Sequence, residues 1–138
     1  DIVRLMNEEE HAVFRALQGV EDALAIAATK VSEAFLAGGR IFYLGSGTSG
    51  RIATADAAEM PPTFGIESDR FIAIVSGGNK ATNVAVEDAE DDPHAAVLEL
   101  NNYKLETRDV VIGLAASGST AFVVSGIRHA REKGVWTC

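Results

Sequence analysis

The sequence has few of the features that would place a protein outside the cell or in a membrane. Cys138 is the only cysteine among the 138 residues, so no disulfide can form within the chain. No apolar run approaches the roughly 20 residues that a membrane-spanning helix needs. The first residues are charged and lack the basic and then apolar layout of a secretory signal. We therefore expect a cytoplasmic protein with no membrane partner.

Positive charge is also scarce. The chain has 12 Lys and Arg residues against 20 Asp and Glu residues, which gives a net charge of −8, and the cationic residues are scattered. Nucleic acids and anionic membrane surfaces are bound mainly through clustered Lys and Arg, so neither is an expected partner. A site for an anion would have to use local groups, namely backbone N–H groups, hydroxyls and helix N-termini.

Short apolar runs rich in β-branched and aromatic residues indicate a buried sheet. They lack polar alternation, which is typical of parallel strands that are buried on both faces. The predicted strands are residues 40–44, 71–75 and 110–116, and residues 134–138 look like the start of a fourth strand.

Predicted helices lie between these strands. They cover residues 50–59 and 79–90, a segment opened by Asp92 and Pro93 that runs to about residue 102, and residues 120–133. Strands that alternate with helices predict an α/β fold with a doubly wound parallel sheet flanked by helices.

Residues 1–38 are expected to form a helical segment that precedes this sheet. Leu24, Ala27, Val31 and Phe35 recur at spacings of three and four, and two glycines follow at 38 and 39. The predicted division is an N-terminal helical segment at 1–38 and a sheet domain at 39–138. The last predicted strand has no helix after it, so a longer protein is expected.

The stretch GSGTSG at 45–50 follows the first strand, where open α/β sheets bind their ligands. Its glycines fit the G-x-G-x-x-G pattern of dinucleotide sites. However, that pattern expects an acidic residue after the second strand, and here Ser76, Gly77 and Gly78 follow it instead. The hydroxyls of the loop can donate to phosphate oxygens. An ordinary glycine turn between strand and helix is the alternative.

A second loop of Ser, Gly and Thr, at 117–120, follows the third strand. Two hydroxyl-rich loops at one edge of a sheet favour a phosphate monoester as the ligand, although helix capping by Ser119 or Thr120 is the alternative explanation of the second loop. The candidate ligand-binding residues of the two loops are Ser46, Gly47, Thr48, Ser49, Ser117, Ser119 and Thr120.

Carboxylates supply the candidate acid and base groups. Pro61 predicts that a helix ends near Glu59, where the negative helix end favours a protonated carboxyl that can donate a proton. Five more carboxylates cluster in residues 86–92, where like charges discourage full ionisation and one member could act as a base. Solvated surface carboxylates are the alternative in both places. The histidines do not have metal-ligand spacing, and we expect neither a metal nor a cofactor.

Three motifs in order, LGSGTSGRIATADAAEMPPTFG, SGGNKATNVAVEDAEDDP and DVVIGLAASGSTAFV, closely resemble the N-acetylmuramic acid 6-phosphate etherase family. The early RLMNEEE is also similar to that family. The resemblance covers nearly the whole chain. It implies a sugar isomerase (SIS) domain that binds phosphosugars, and the cleavage of N-acetylmuramic acid 6-phosphate to N-acetylglucosamine 6-phosphate and D-lactate without metal or redox cofactor.

The resemblance also assigns roles to residues. It implies that Glu90 removes the C2 proton, and that Glu59 protonates the departing lactate and later activates water. The phosphate contacts would come from the two loops, and the role of Arg51 stays open. Ser119 and Ala121 depart from the family, which usually has Arg and Pro there, so the second loop is expected to hold its ligand differently.

Two other functions remain open on the same fold. One is a phosphosugar-binding regulator without catalysis, and the other is a phosphosugar isomerase that interconverts an aldose and a ketose. SIS sites commonly form at homodimer interfaces, and the N-terminal helical segment could supply such a contact, so we also expect a homodimer.

Overall fold

The structure is a computed structural model that describes residues 1–138. Its centre is a four-stranded parallel sheet in the order β2-β1-β3-β4, formed by β1 (Ile41–Gly45), β2 (Phe71–Val75), β3 (Val110–Leu114) and β4 (Trp136–Thr137). The predicted α/β class and all four strands are confirmed. The third strand ends two residues earlier than predicted, and the fourth is shorter.

Five helices surround the sheet. They are α1 (Ile2–Gln18), α2 (Glu21–Leu36), α3 (Gly47–Phe64), α4 (Ala95–Asn102) and α5 (Ala121–Glu132), and two short 3₁₀ turns occupy Gly78–Thr82 and Ala89–Asp91.

Both faces of the sheet are covered, as the unbroken apolar runs predicted. On one face, Phe42 and Leu44 of β1 join Val111 of β3 in a core that includes Leu100 of α4 and Phe122 of α5. The opposite face meets α2 and α3, where the rings of Phe35 and Phe71 lie 5.9 Å apart. The result is the three-layer arrangement of a doubly wound fold.

The strand register positions the candidate site. Gly45, the last residue of β1, pairs with Val75 of β2 and with Leu114 of β3. The three strands therefore end at the same level, and the segments that follow them leave the sheet from one edge.

The prediction of a helix over 79–90 is wrong. Two short 3₁₀ turns occupy this stretch, separated by turns and irregular backbone. Gly77, Gly78 and Asp88 adopt positive φ angles of 80°, 67° and 59°, which no α-helix accommodates. Carboxylates three and four residues apart also repel one another on a helix surface.

The predicted helix end near Glu59 is wrong as well. Helix α3 continues through Pro61 and Pro62 to Phe64 and ends at Gly65, whose φ is 66°. A proline in the last turns costs a backbone hydrogen bond but does not prevent helical φ angles, and the N–H of Gly65 donates to the carbonyl of Pro61 at 2.8 Å.

Two smaller boundaries also differ. Asp92 does not cap α4 directly: its carboxylate accepts from the N–H of His94 at 2.8 Å, and the helix begins at Ala95. The N-terminal helical segment is confirmed as helical but is interrupted at Gly19 and Val20. None of the helices is both long enough and apolar enough to cross a lipid bilayer.

Candidate functional site

The first glycine loop is shorter than the sequence predicted, because α3 begins at Gly47 and not at residue 50. Gly47, Thr48 and Ser49 form the first turn of the helix, whose N–H groups have no partner within a helix. Ser46 occupies the N-cap position but makes no capping bond through its side chain. Its Oγ is buried and has no hydrogen-bond partner within the protein. The segment therefore presents free donors and a positive helix end.

Glycine allows α3 to approach the strand ends closely. A Cβ at Gly50 would lie 2.5 Å from Cγ1 of Val75 and 2.9 Å from the carbonyl oxygen of Gly45. A Cβ at Gly45 would lie 2.7 Å from the backbone nitrogen of Gly50. These two glycines have a packing role, whereas Gly47 has a φ of 55° and open space around it.

A cavity of about 240 Å³ opens beside this turn. One wall is the start of α3, with Gly47, Thr48 and Arg51, and another is the acidic segment, with Glu87 and Glu90. The complete set of lining residues is Gly47, Thr48, Arg51, Ser76, Ala81, Ala85, Val86, Glu87, Asp88 and Glu90. The cavity thus combines anion-binding groups with carboxylates that can exchange protons.

Asp88, in the acidic segment, lines this cavity and has an unusual backbone conformation. Its φ of 59° lies in the left-handed region, which Asp tolerates better than most residues with a Cβ. The segment between Gly78 and Ala95 contains no regular α-helix, so its carboxylates are presented from a loop. Glu87, Asp88 and Glu90 are exposed and take part in no salt bridge within the chain.

Glu59 occupies a different position from Glu90. It lies on the exposed surface of α3, five residues before the helix ends, and it does not line the cavity. The sequence-based placement at a helix end therefore no longer supplies a reason for Glu59 to hold a proton.

The second hydroxyl loop follows β3 at the same edge of the sheet but borders another cavity. The Oγ of Ser117 accepts from the N–H of Ser119 at 3.2 Å and lies 3.0 Å from its Oγ. Gly118 lines a cavity of about 340 Å³ together with residues of α5, and Thr120 is the N-cap of α5 without a side-chain capping bond. The alternative explanation by side-chain capping is not supported for Ser119 or Thr120.

Sequence reasoning did not single out three residues of the first cavity. Ser76, which is buried, was noted only as the absence of an acid after β2. Asp88 was not distinguished from its acidic neighbours. The signal in the sequence was the density of carboxylates around it, which disfavours a helix and indicates a turn. The role of Arg51 was left open, and the structure places it on the cavity wall. No group of three or more His, Cys, Asp or Glu residues is arranged to hold a metal ion.

Comparisons with known proteins agree with this geometry. The family model described as the glucokinase regulatory protein N-terminal SIS domain matches residues 23–131. An N-acetylmuramic acid 6-phosphate etherase from Histophilus somni is 42% identical over 137 residues, which cover 99% of this chain and 45% of that protein. One from Geobacillus thermodenitrificans is 47% identical, with 99% and 46% covered.

A solved phosphoheptose isomerase from Neisseria gonorrhoeae shares the fold, with a TM-score of 0.68 and 21% identity over 99% of this chain and 73% of that one. The chain spans less than half the length of the two etherases. The predicted membership is confirmed: the chain belongs to the SIS-domain family and, within it, to the N-acetylmuramic acid 6-phosphate etherase family.

Proposed function

We propose that the protein acts as an N-acetylmuramic acid 6-phosphate etherase, a lyase that gives N-acetylglucosamine 6-phosphate and D-lactate in the recycling of cell-wall sugars. The observation that carries the proposal is the 240 Å³ cavity, in which the open N-terminus of α3 and Glu90 line the same space. The etherases that match the chain at 42–47% identity support the same reaction.

The first step is binding of the sugar phosphate. The N–H groups at the start of α3 and the hydroxyl of Thr48 donate to phosphate oxygens, and the positive helix end favours the anion. Ser46 has a buried Oγ free to donate. Ser49, Ser117, Ser119 and Thr120 do not line this cavity. Their place in the proposed set rests on the resemblance to the etherase family.

The second step is removal of a proton. Opening of the sugar ring gives an aldehyde, which acidifies the C2–H bond. Glu90 takes this proton, and the electron pair of the C2–H bond is first held as an enolate of the aldehyde. The enolate then forms a C2=C3 double bond as the C3–O bond to lactate breaks. Glu90 suits this task because it lines the cavity and has no salt-bridge partner in the chain.

The third step needs an acid. The oxygen of the leaving lactate accepts a proton from Glu59, which then takes a proton from the water that adds to C3, while C2 is reprotonated. This role for Glu59 rests on the family motif A-x-E-x-P-P-T, which the chain matches at residues 57–63.

The first experiment measures lactate release from N-acetylmuramic acid 6-phosphate in deuterated water. We expect D-lactate in equal amount to N-acetylglucosamine 6-phosphate, with deuterium at C2 of the sugar product. Absence of lactate at every pH tested, in a chain that circular dichroism shows to be folded, would contradict the proposal.

The second experiment separates the two carboxylates. Glu90→Gln should abolish deuterium entry at C2, and the rate should fall by about 10²–10⁴, the usual contribution of a general base. Asp91→Asn, a neighbour outside the cavity lining, is the matched control and should keep full activity.

Glu59→Gln should slow lactate release while C2 exchange continues, because proton removal does not need the acid. Glu67→Gln, an exposed carboxylate beyond the end of α3, is its control. Equal loss of exchange and release in Glu59→Gln would remove Glu59 from the role of acid.

A second candidate function is a phosphosugar-binding regulator without catalysis. The position of Glu59 outside the cavity lining favours it, and so does the match to the SIS domain of a regulatory protein. Calorimetric binding of the phosphosugar without turnover would support this function. Formation of a ketose phosphate would instead indicate an isomerase.

Three further parts of the proposal concern the protein as a whole. The ligand is a phosphosugar, the location is cytoplasmic, and the protein forms a homodimer. The division into an N-terminal segment at 1–38 and a phosphosugar-binding domain at 39–138 also stays a proposal. Limited proteolysis that cuts first between α1 and β1 would support that division.

A further inference from the structure

Three arginines of the protein are partly buried, and two of them have a partner within the chain. The guanidinium of Arg40 donates to the carboxylate of Asp109 at 2.7 Å. That of Arg70 donates to the carbonyl of Phe35 at 2.6 Å. The third, Arg51, takes part in no salt bridge. A charge that is partly removed from water needs a compensating partner, so Arg51 is set apart from the other two.

Arg51 lies on the wall of the cavity of about 240 Å³ beside the open turn of α3. Among the ten residues that line this cavity it is the one cation, whereas Glu87, Asp88 and Glu90 are anions. None of these carboxylates forms a salt bridge with it. Its place early in α3, where the helix dipole favours anions, does not stabilise the helix. The guanidinium is therefore free to bind a group of a ligand in the cavity.

The helix geometry gives the side chain of Arg51 a direction. Side chains of an α-helix lean toward its N-terminus, over the residue four positions earlier. For Arg51 that residue is Gly47, where a Cβ would meet no atom within 4 Å. The guanidinium therefore has room beside the first turn of α3, at the flank of the N–H groups proposed to bind the phosphate. A second group of the same ligand can reach it there.

The proposed substrate carries two anionic groups, a phosphate on C6 and the carboxylate of the lactyl group on C3. The two groups suit different partners. A phosphate at a helix N-terminus is held by backbone N–H groups and hydroxyls, which the first turn of α3 supplies. A carboxylate matches the planar fork of a guanidinium, which donates two parallel hydrogen bonds to its two oxygens. Arg51 is the lining residue with that fork.

The lactyl carboxylate also needs a cation for an electrostatic reason. C2, whose proton Glu90 is proposed to remove, is bonded to C3, so the lactyl group stays near Glu90 until it leaves. Two carboxylates at such a distance repel one another, and Glu87 and Asp88 on the same wall add to the repulsion. A guanidinium bound to the lactyl carboxylate offsets this repulsion, and Arg51 is the residue of the lining that carries the required charge.

We propose that Arg51 binds the carboxylate of the lactyl group and thereby selects sugar phosphates that carry an acid on C3. This inference deepens the proposed etherase function and rests on it for the identity of the ligand. The reaction is tested by lactate release, whereas the role of Arg51 is tested by the preference among bound ligands. Failure of the reaction and failure of this assignment are therefore observed separately.

Calorimetry with two ligands tests the assignment, in a Glu90→Gln background that prevents turnover. N-acetylglucosamine 6-phosphate has the phosphate of N-acetylmuramic acid 6-phosphate but lacks its lactyl group. Arg51→Gln should weaken binding of the muramic acid ligand by about 10- to 100-fold, the usual contribution of hydrogen bonds to a charged group, and leave the other ligand unchanged. Arg51→Lys keeps the charge without the fork and should retain part of the affinity.

Arg108→Gln is the matched control, because Arg108 is exposed and lies just before β3, at the opposite end of the sheet. It should leave both ligands unchanged. Equal weakening of the two ligands by Arg51→Gln would place the guanidinium at the phosphate and would overturn the proposal. Unchanged binding of both ligands would overturn it as well.

A modified ligand isolates the charge of the carboxylate. In the amide of N-acetylmuramic acid 6-phosphate, a neutral carboxamide of similar shape replaces the lactyl carboxylate. Protein with Arg51 should prefer the acid to the amide by about 10- to 100-fold, and Arg51→Gln should bind the two equally. Changing ligand and residue together is a double-mutant cycle, which cancels any general effect of the substitution on the fold. If Arg51→Gln still prefers the acid to the same extent, another group holds the carboxylate and the proposal is wrong.

Discussion

The two ends of the parallel strands are built on opposite principles. At the amino end, the buried carboxylate of Asp109 accepts from the backbone N–H of Arg40 at 2.8 Å, from its Nη2 at 2.7 Å and from the N–H of Glu106 at 2.8 Å. Arg70 donates to the carbonyls of Phe35 and Gly39 and lies 4.2 Å from the ring of Phe35. The charges at this end have partners inside the protein.

At the carboxyl end the polar groups face a cavity and lack such partners. The Oγ of Ser46 is buried without a hydrogen bond, and the first turn of α3 has free N–H groups. Glu87 and Glu90 line the cavity without a salt bridge. The fold therefore places polar interactions that stabilise it at one end of the sheet, and keeps groups free for a ligand at the other.

Removing the carboxylate of Asp109 at the amino end of the strands should have the largest effect on stability. Asp109→Ala leaves the guanidinium of Arg40 and two backbone N–H groups without their acceptor. The hydrogen bond from Arg40 to Asp109 raises the pKa of Arg40, against the effect of burial. The guanidinium stays charged in the variant because arginine side chains are not deprotonated in proteins. We expect a loss of about 3–5 kcal/mol in the free energy of unfolding, measured by urea denaturation.

The control for this variant is Glu106→Gln. Glu106 pairs with Arg108 at 2.9 Å, and both side chains are more than half exposed. An exposed pair of this kind contributes about 0–1 kcal/mol. If Asp109→Ala were no more destabilising than Glu106→Gln, the stabilising role of the amino end would be wrong.

The second prediction concerns the close contact of α3 with the carboxyl ends of the strands. Gly50→Ala places a methyl group against Val75 and the carbonyl of Gly45, so α3 must shift. We expect a loss of about 1–3 kcal/mol, typical of an overpacked site, and weaker binding of N-acetylglucosamine 6-phosphate. Calorimetry and urea denaturation measure the two effects.

Gly47→Ala sharpens this test, because a Cβ at Gly47 meets no atom within 4 Å and only the φ of 55° opposes it. Its effect on stability should be smaller than that of Gly50→Ala. A larger effect would show that backbone conformation, and not the contact between helix and strand, governs this turn.

The sequence predicted the sheet well because buried parallel strands leave a direct signal. The runs around Phe42, Ile74 and Val111 are apolar on both faces, and all three lie in strands. It also located the start of α3 within three residues, since glycines after a strand point to a close helix contact. The spacing of apolar residues and the positions of glycines are local properties of a sequence. The strands and the start of α3 could be predicted because they depend on these local properties.

Other features depend on contacts that no local pattern shows. The hydrogen bonds between Arg40 and Asp109 join residues 69 positions apart, and no local pattern distinguishes Asp109 from the other carboxylates. Pro61 predicted a helix end near Glu59, but α3 continues through Pro61 to Phe64. Separate cavities at the two hydroxyl loops follow from packing of α5 on the sheet, and only the structure shows that packing.

The third prediction concerns a residue between the two ends of the strands, and its expected effect on stability is smaller. Tyr43 in the middle of β1 donates to Oδ2 of Asp56 on α3 at 2.7 Å. Burial, followed by this bond, raises the pKa of Tyr43 above its usual range. Tyr43→Phe should cost about 1 kcal/mol at neutral pH, measured by urea denaturation.

The same substitution makes a prediction about pH. Because the pKa is raised in the folded state, the contribution of Tyr43 is complete below the pKa of an unfolded tyrosine, about 10, and is lost as the pH rises above it. Wild type should therefore begin to lose its advantage over Tyr43→Phe near about pH 10 and lose it progressively over the range from there to the raised pKa of the folded state. A constant difference across that range would show that the hydroxyl is not buried against Asp56.

The last prediction separates ligand binding from stability at the carboxyl end. Ser46→Ala removes a buried hydroxyl that has no partner, so the free energy of unfolding should stay within about 0.5 kcal/mol of wild type or rise. Binding of N-acetylglucosamine 6-phosphate should weaken by about 10- to 100-fold, because a hydrogen bond to a charged group contributes about 1.5–3 kcal/mol. Thermal shift and calorimetry, with unphosphorylated N-acetylglucosamine as the control ligand, measure both quantities. A stable variant with unchanged binding would mean that the hydroxyl does not reach the phosphate, and the contrast between the two ends of the sheet would then rest on the α3 backbone alone.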